Sequence, residues 1–149
     1  MGRASHLLNR ALDGKPCLVL SSDLRVRIRS AERATYPDLY VICGEIERDS
    51  EDDHAVVNPT MIVEILSDST EDSDRTEKLA AYRRLKSLRE YVLVSQRERR
   101  VEVYRRDGRR WHLDEVHTGE RLTLESIAAD LAVDDMYVDQ LGAIVVDRY

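Results

Sequence analysis

Two short apolar runs constrain this chain more than any other feature: Leu39-Tyr40-Val41-Ile42-Cys43 and Met61-Ile62-Val63-Glu64-Ile65-Leu66. Each has the length and character of a buried strand. Each also carries a carboxylate for which such a strand has no packing use. Asp38 opens the first run directly after Pro37, and Glu64 interrupts the second. Charging a carboxyl in apolar surroundings is costly unless a cation or a hydrogen-bond partner offsets it. The pair therefore points to chemistry, with a metal site as the first candidate.

At 149 residues the chain fits one domain, residues 1–149, long enough to bury a core without disulfide support. Cys17 and Cys43 stand apart, with no Cys-x-x-Cys pairing and no secretory leader ahead of them, which predicts a reducing compartment, the cytoplasm. Apolar runs stop at about half a dozen residues, far below the roughly 20 needed to cross a bilayer, so no membrane span is expected.

The net charge of −6 argues mildly against a general nucleic-acid coat, but its distribution is uneven. Residues 1–30 carry six basic and two acidic side chains, and residues 73–110 carry thirteen basic and six acidic. Residues 31–72, which hold both candidate carboxylates, carry two basic and twelve acidic groups, and residues 111–149 two basic and nine acidic. An acidic centre between basic stretches suits a metal-dependent enzyme acting on a phosphate ester. Clustering of solvated surface charge accounts for the same pattern without any function.

Helical spacing of Leu7, Leu8, Ala11 and Leu12 predicts a helix over 4–12, stopped by Asp13-Gly14-Lys15-Pro16. Residues 17–20 read as a strand, and residues 24–29 alternate apolar and basic side chains, which makes a hairpin with one cationic face. After the Asp38 strand, residues 45–53 are acidic and lack apolar periodicity, so an exposed loop is expected. Beyond the Glu64 strand, Leu79, Ala80, Tyr82 and Leu85 predict one helix over 73–85, capped by Ser73 or Asp74. Strands at 90–95, 100–105 and 109–117 form a meander about Asp107-Gly108, and 124–141 shows two short helical patterns broken near Val133. The order implies a mixed α+β (α/β) domain with one central sheet.

Phosphodiester hydrolysis needs a cation that screens the scissile phosphate and lowers the pKa of an attacking water, and hard ions such as Mg²⁺ take carboxylate oxygens. Asp38 and Glu64 can supply these if their strands are neighbours. Lys78 is the candidate positive side chain, because Asp74, Lys78 and Tyr82 fall at i, i+4 and i+8 on one helix face. Lys78 pairing with Asp74 or Glu77 on a solvated face is the bland alternative, and Tyr82 is equally readable as a core edge.

The run Tyr36-Pro37-Asp38-Leu39, then Val63-Glu64-Ile65-Leu66-Ser67 with Ser69-Thr70, Asp74-Arg75-x-x-Lys78, Tyr82-Arg83, Ser87-Leu88-Arg89-Glu90-Tyr91-Val92-Leu93-Val94 and Val101-Glu102-Val103-Tyr104, resembles the bacterial Uma-two family of endonucleases. That family belongs to the restriction-endonuclease-like PD-(D/E)XK superfamily. The match runs from about Gly2 to about Leu141. It implies a central mixed sheet flanked by helices, with Asp38 in the acidic place after proline and Glu64 in the second acidic place. Leu66 stands where the superfamily usually has lysine, and Lys78 occupies the place of a replacement lysine on the next helix. Relatives generally carry a further N-terminal stretch of a helix and hairpin, so the chain is expected to lack part of that region and any glutamate it supplies.

Other candidates are weaker. Asp23 caps a turn or approaches the metal, Ser67 reads as a helix-entry cap, and Gln96 is expected to face away from the site. His6, His54, His112 and His117 lack any zinc spacing and read as ordinary surface residues. Two function classes follow. One is a Mg²⁺- or Mn²⁺-dependent nuclease acting on DNA, with Asp38 and Glu64 as ligands, Lys78 at the water, and Arg25, Arg27 and Arg29 or Arg83, Arg84 and Lys86 on backbone phosphate. The other is a catalytically silent binding or assembly module on the same fold. Exposed edge strands make a homodimer an expectation of either class.

Overall fold

The computed structural model describes residues 2–138. Helix α1 (Gly2–Ala11) buries Ala4, Leu7 and Leu8 along one stripe, as the apolar spacing requires. It stops at Gly14, whose φ of +78° favours glycine. Strands β1 (Cys17–Leu20), β2 (Arg25–Ile28), β3 (Arg33–Thr35), β4 (Leu39–Cys43), β5 (Ala55–Val56) and β6 (Met61–Ile65) follow. Helices α2 (Glu71–Arg75) and α3 (Glu77–Tyr82) lead into β7 (Glu90–Val94), β8 (Arg100–Asp107), β9 (Arg110–His117), β10 (Arg121–Leu124) and β11 (Ala129–Ala132).

The main sheet has six strands in the order β1-β4-β6-β7-β8-β9, with smaller sheets β3-β2-β5 and β10-β11. Only β6 and β7 run parallel within the six, and α2 and α3 supply the crossover that a parallel pair needs. The result is the mixed central sheet with flanking helices that the resemblance implies.

Strand alternation sorts the core into two layers. Leu39, Val41, Met61, Val63, Val92 and Val94 face α1 and the β10-β11 hairpin. Tyr40, Ile42, Ile62, Tyr91 and Leu93 face the opposite way, against Leu79, Ala81 and Tyr82 of the crossover and Val26 and Val56 of the small sheet. Both faces are covered, which explains why β4, β6 and β7 read as continuous apolar runs. Period 2 then places Glu64, two residues after Ile62, on the crossover face.

Several expectations need correction. Residues 17–20 and 24–29 make no hairpin with each other, because β1 pairs with β4 and β2 pairs with β3 and β5. That pairing makes Cys17 and Cys43 register partners, and they are joined as a disulfide. The reducing-compartment argument, which treated them as isolated thiols, therefore falls. The loop at 45–53 is largely exposed, as expected, but is pinned at Asp49, which is buried and receives Arg29 Nε at 2.7 Å. Among the described residues, no helix is long and apolar enough to cross a membrane.

The single helix expected over 73–85 is two. Thr76 has φ −116° and ψ −81°, outside the helical range, and its hydroxyl donates to the Asp72 carbonyl at 2.6 Å, which competes with the regular ladder. The tail is a hairpin and a final turn rather than two helices: β10 and β11 pair antiparallel, and a 3-10 turn spans Val133–Tyr137. The part of that expectation beyond Val138 lies outside the described residues. The β2-β3 and β10-β11 connections share one geometry, a short 3-10 turn ending in a left-handed residue, Glu32 at φ +50° and Ala128 at φ +51°.

Candidate active site

The antiparallel register Leu39↔Val63 sets the start of β4 beside the end of β6. Asp38 and Glu64, 26 positions apart, meet there in a reciprocal arrangement. The Asp38 backbone N–H donates to Glu64 Oε1 at 2.8 Å, and the Ile65 N–H donates to Asp38 Oδ2 at 2.7 Å. These bonds lock both carboxylates to the opposite strand's backbone, which orients them without mobile side-chain partners.

The crossover brings the third group. Lys78 Nζ lies 2.6 Å from Glu64 Oε2 and 2.9 Å from Asp74 Oδ1. The i, i+4 relation of Asp74 and Lys78 survives the break at Thr76. Asp74 is buried, and its Oδ1 makes this ion pair without a well-directed hydrogen bond. Tyr91 donates its hydroxyl to the Asp74 carbonyl at 2.9 Å, fixing α2 against β7. Tyr36, Asp38, Glu64, Thr70, Asp74, Lys78 and Gln96 are among the residues lining a cleft of about 300 Å³.

Electrostatics follow from burial. Glu64 is 2% exposed, and desolvation pushes its carboxyl up to about 7, outweighing the lowering effects of Lys78 and the Asp38 N–H, while Asp74 adds to the rise. Burial alone would lower Lys78, but Glu64 and Asp74 hold its ammonium above the ordinary range. Burial, then the negative charge of Glu64, raises both Tyr82 and Tyr91. The site thus keeps a cation on Lys78 beside a carboxyl on Glu64 whose charged form burial disfavours. Its negative form would gain from any second cation arriving in the cleft.

Of the supporting candidates, Asp74 belongs to the cluster. Tyr82 lies behind it, fully buried, donating to Thr35 Oγ1 at 3.0 Å. Asp23 is exposed and does not line the cleft. Ser67 is not the helix-entry cap, a place Thr70 holds without a side-chain cap bond; the Ser67 carbonyl accepts from the Glu71 N–H at 2.9 Å, and its hydroxyl pairs with that of Thr70 at 2.7 Å. Gln96, expected to face away, lines the cleft, because β7 ends beside β6 and delivers the residues after Val94 to the same edge. Exposed Tyr36 is also at the cleft, its hydroxyl accepting from Arg25 Nη1 at 3.1 Å. The signal for Gln96 was its place just past a parallel neighbour of β6, visible only once strand order is known. The four histidines are exposed, and among the described residues no group of three or more His, Cys, Asp or Glu side chains is arranged to hold a metal.

The basic rows divide. Arg25 reaches the cleft through Tyr36, whereas Arg27, Arg29, Arg84 and Lys86 line a separate groove that also contains Cys43 and Thr60. Those two residues mark the other end of β4 and β6.

Comparison with known proteins bears on the family and the fold. The family model Uma2, described as "Putative restriction endonuclease", matches residues 2–136. The uncharacterized protein slr1290 of Synechocystis sp. is 35% identical over 136 residues, covering 91% of this chain and 70% of its own length. A second Synechocystis sp. protein, sll1609, also uncharacterized, is 36% identical over 122 residues, covering 81% of this chain and 68% of its own length. The crystal structure of "a putative nuclease belonging to DUF820" from Anabaena variabilis superposes with a TM-score of 0.73 at 17% identity, covering 91% of this chain and 76% of that one. At that identity the likeness speaks for the fold.

Proposed function

The chain belongs to the Uma2 family, and on that premise we propose that it is a divalent-metal-dependent nuclease hydrolysing phosphodiester bonds in DNA. The observation that carries the reading is the meeting of Asp38, Glu64 and Lys78 at one cleft from three separate elements, with Lys78 Nζ 2.6 Å from Glu64 Oε2.

Mg²⁺ or Mn²⁺ is the ion that suits these residues. Mg²⁺ is bound through one or two carboxylates while keeping several waters and taking substrate phosphate oxygens, and Asp38 with Glu64 is such a pair of hard oxygen donors. A buried carboxyl held up to about 7 is one whose ionised form still wants a cation. When bound, the ion would screen the scissile phosphate and acidify a water.

The protein's own residues have defined tasks in this reading. Asp38 and Glu64 hold the ion, and their backbone hydrogen bonds keep the donor oxygens in place. Lys78 keeps its proton because two carboxylates face it, so it presents a permanent positive charge where negative charge develops on the phosphate. Asp74 positions Lys78 through the 2.9 Å ion pair. In this reading Gln96, a polar side chain on the cleft wall, donates to a non-bridging phosphate oxygen, while the Thr70 hydroxyl is engaged with Ser67.

The test is cleavage of single-stranded, duplex and branched DNA with Mg²⁺ or Mn²⁺ by the native chain, Glu64→Gln and Lys78→Ala. The expected result is metal-dependent cutting lost in Glu64→Gln and reduced at least 100-fold in Lys78→Ala, roughly the effect of removing one preorganised charge. No cutting by the native chain on any substrate, with no ion bound in calorimetry, would instead support a silent binding module.

A further inference from the structure

The largest concavity described is the groove of about 790 Å³ at the opposite end of the sheet. Asp38 and Cys43 bracket β4, so the groove and the cleft are separated by about five residues of strand, roughly 16 Å. Arg27, Arg29, Arg48, Arg84 and Lys86 line it, against two acidic residues, Glu47 and Asp49, leaving three net positive charges on a chain whose net charge is −6.

The cations come from three stretches that the sequence keeps apart: the end of β2 with the 3-10 turn that follows it, the loop before β5, and the loop before β7. Three of them have internal partners. Arg29 pairs with Asp49 at 2.7 Å, Arg48 Nη1 donates to the Asp53 carbonyl at 2.7 Å, and Arg84 donates to the Ser30 carbonyl. Arg27 and Lys86 have no side-chain hydrogen bond or ion pair among the described residues. Like charges gathered along one concave surface repel each other without a counter-charge, and the field they share concentrates anions. The hydroxyls of Ser30 and Ser50 add neutral donors beside the cations, the mix that phosphate oxygens take, while the Asn58 amide holds the wall together by donating to the Glu45 carbonyl and accepting from the Glu47 N–H.

We propose that this groove is a second phosphate-binding site, which holds backbone phosphates of a nucleic acid away from the position that is cut. The identity of the polyanion rests on the nuclease reading; the phosphate chemistry does not. Arg27 and Lys86 make the direct contacts, and Arg29, Arg48 and Arg84 shape the wall that presents them.

The experiment is fluorescence anisotropy with labelled single-stranded and duplex oligonucleotides in EDTA, over 50 to 200 mM salt, so that no cleavage intervenes. The proteins are the native chain, Arg27→Gln/Lys86→Gln and Arg27→Lys/Lys86→Arg, each checked for an unchanged circular dichroism spectrum. Loss of two phosphate contacts should reduce the slope of log K against log salt by about 1.8 on duplex or about 1.4 on single strands. The charge-preserving pair should restore it. A parallel arm follows backbone amide shifts of residues 27–30 and 84–87 on adding inorganic phosphate or pyrophosphate.

Weakened binding with a smaller slope in the neutral pair alone supports the proposal, even if the native chain cleaves nothing. Unchanged oligonucleotide binding in the neutral pair overturns it. Shifts with free phosphate but no groove-dependent oligonucleotide binding also overturn it, leaving a small-anion site instead.

Discussion

Replacing Glu64 by glutamine should make the protein more stable at neutral and alkaline pH while removing a carboxylate that the proposed metal site requires. Glu64 is 2% exposed, and burial raises its carboxyl from 4.5 to about 7. Between those values the folded chain binds a proton that the unfolded chain has already released. Stability therefore falls as pH rises from about 4.5 through about 7, and the loss is complete above that window. The shift of about 2.5 corresponds to roughly 3 kcal/mol. Glutamine keeps the shape and can still accept the Asp38 N–H, but carries no charge to desolvate. The ion pair with Lys78 that glutamine loses is made only by the ionised carboxylate, and its lowering effect is already contained in the net rise to about 7. The assay is urea unfolding in EDTA at pH 4 and pH 8, comparing native chain and Glu64→Gln. The stability difference should shift by about 3 kcal/mol in favour of the variant between the two pH values, or about 6 to 12 °C in Tm. A difference independent of pH, or one moving toward the native chain, would refute the claim that burial controls this carboxyl.

Three further outcomes test the fold around the site. Glu90, 2% exposed, accepts from Arg105 Nε at 3.0 Å and from the N–H groups of Glu125 and Ser126, tying the β10-β11 hairpin to the main sheet. Glu90→Ala should cost about 3 to 5 kcal/mol in urea unfolding and strip hydrogen-exchange protection from that hairpin; a cost under about 1 kcal/mol would mean the carboxylate is no anchor. Ala128 sits at φ +51°, so Ala128→Gly should stabilise by about 1 kcal/mol, and a lower Tm would sink the strain argument. Reduction of the Cys17–Cys43 disulfide, which closes a sequence separation of 26, should lower stability by about 3 to 4 kcal/mol. A Cys17→Ser variant should be indifferent to reductant, and a native chain equally indifferent would contradict the bond.

What the amino-acid sequence determined alone is the local part of this protein. The apolar runs at Leu39 and Met61, the stop at Gly14 and the meander about Gly108 became the expected elements, because period, length and turn chemistry act within a few residues. Asp38, Glu64 and Lys78 could be singled out as anomalies against those patterns, and their residue types limited the chemistry. Only tertiary structure decided which strands are neighbours. The pairing of β1 with β4 joined two cysteines that looked isolated, and the parallel pairing of β7 with β6 carried Gln96 to the cleft. The same register separated Arg27 and Lys86 from the carboxylates and gathered them at the far end of the sheet. Strand order depends on contacts between distant residues, which compete through buried area and shared hydrogen bonds over the whole sheet, and no local pattern encodes the winner.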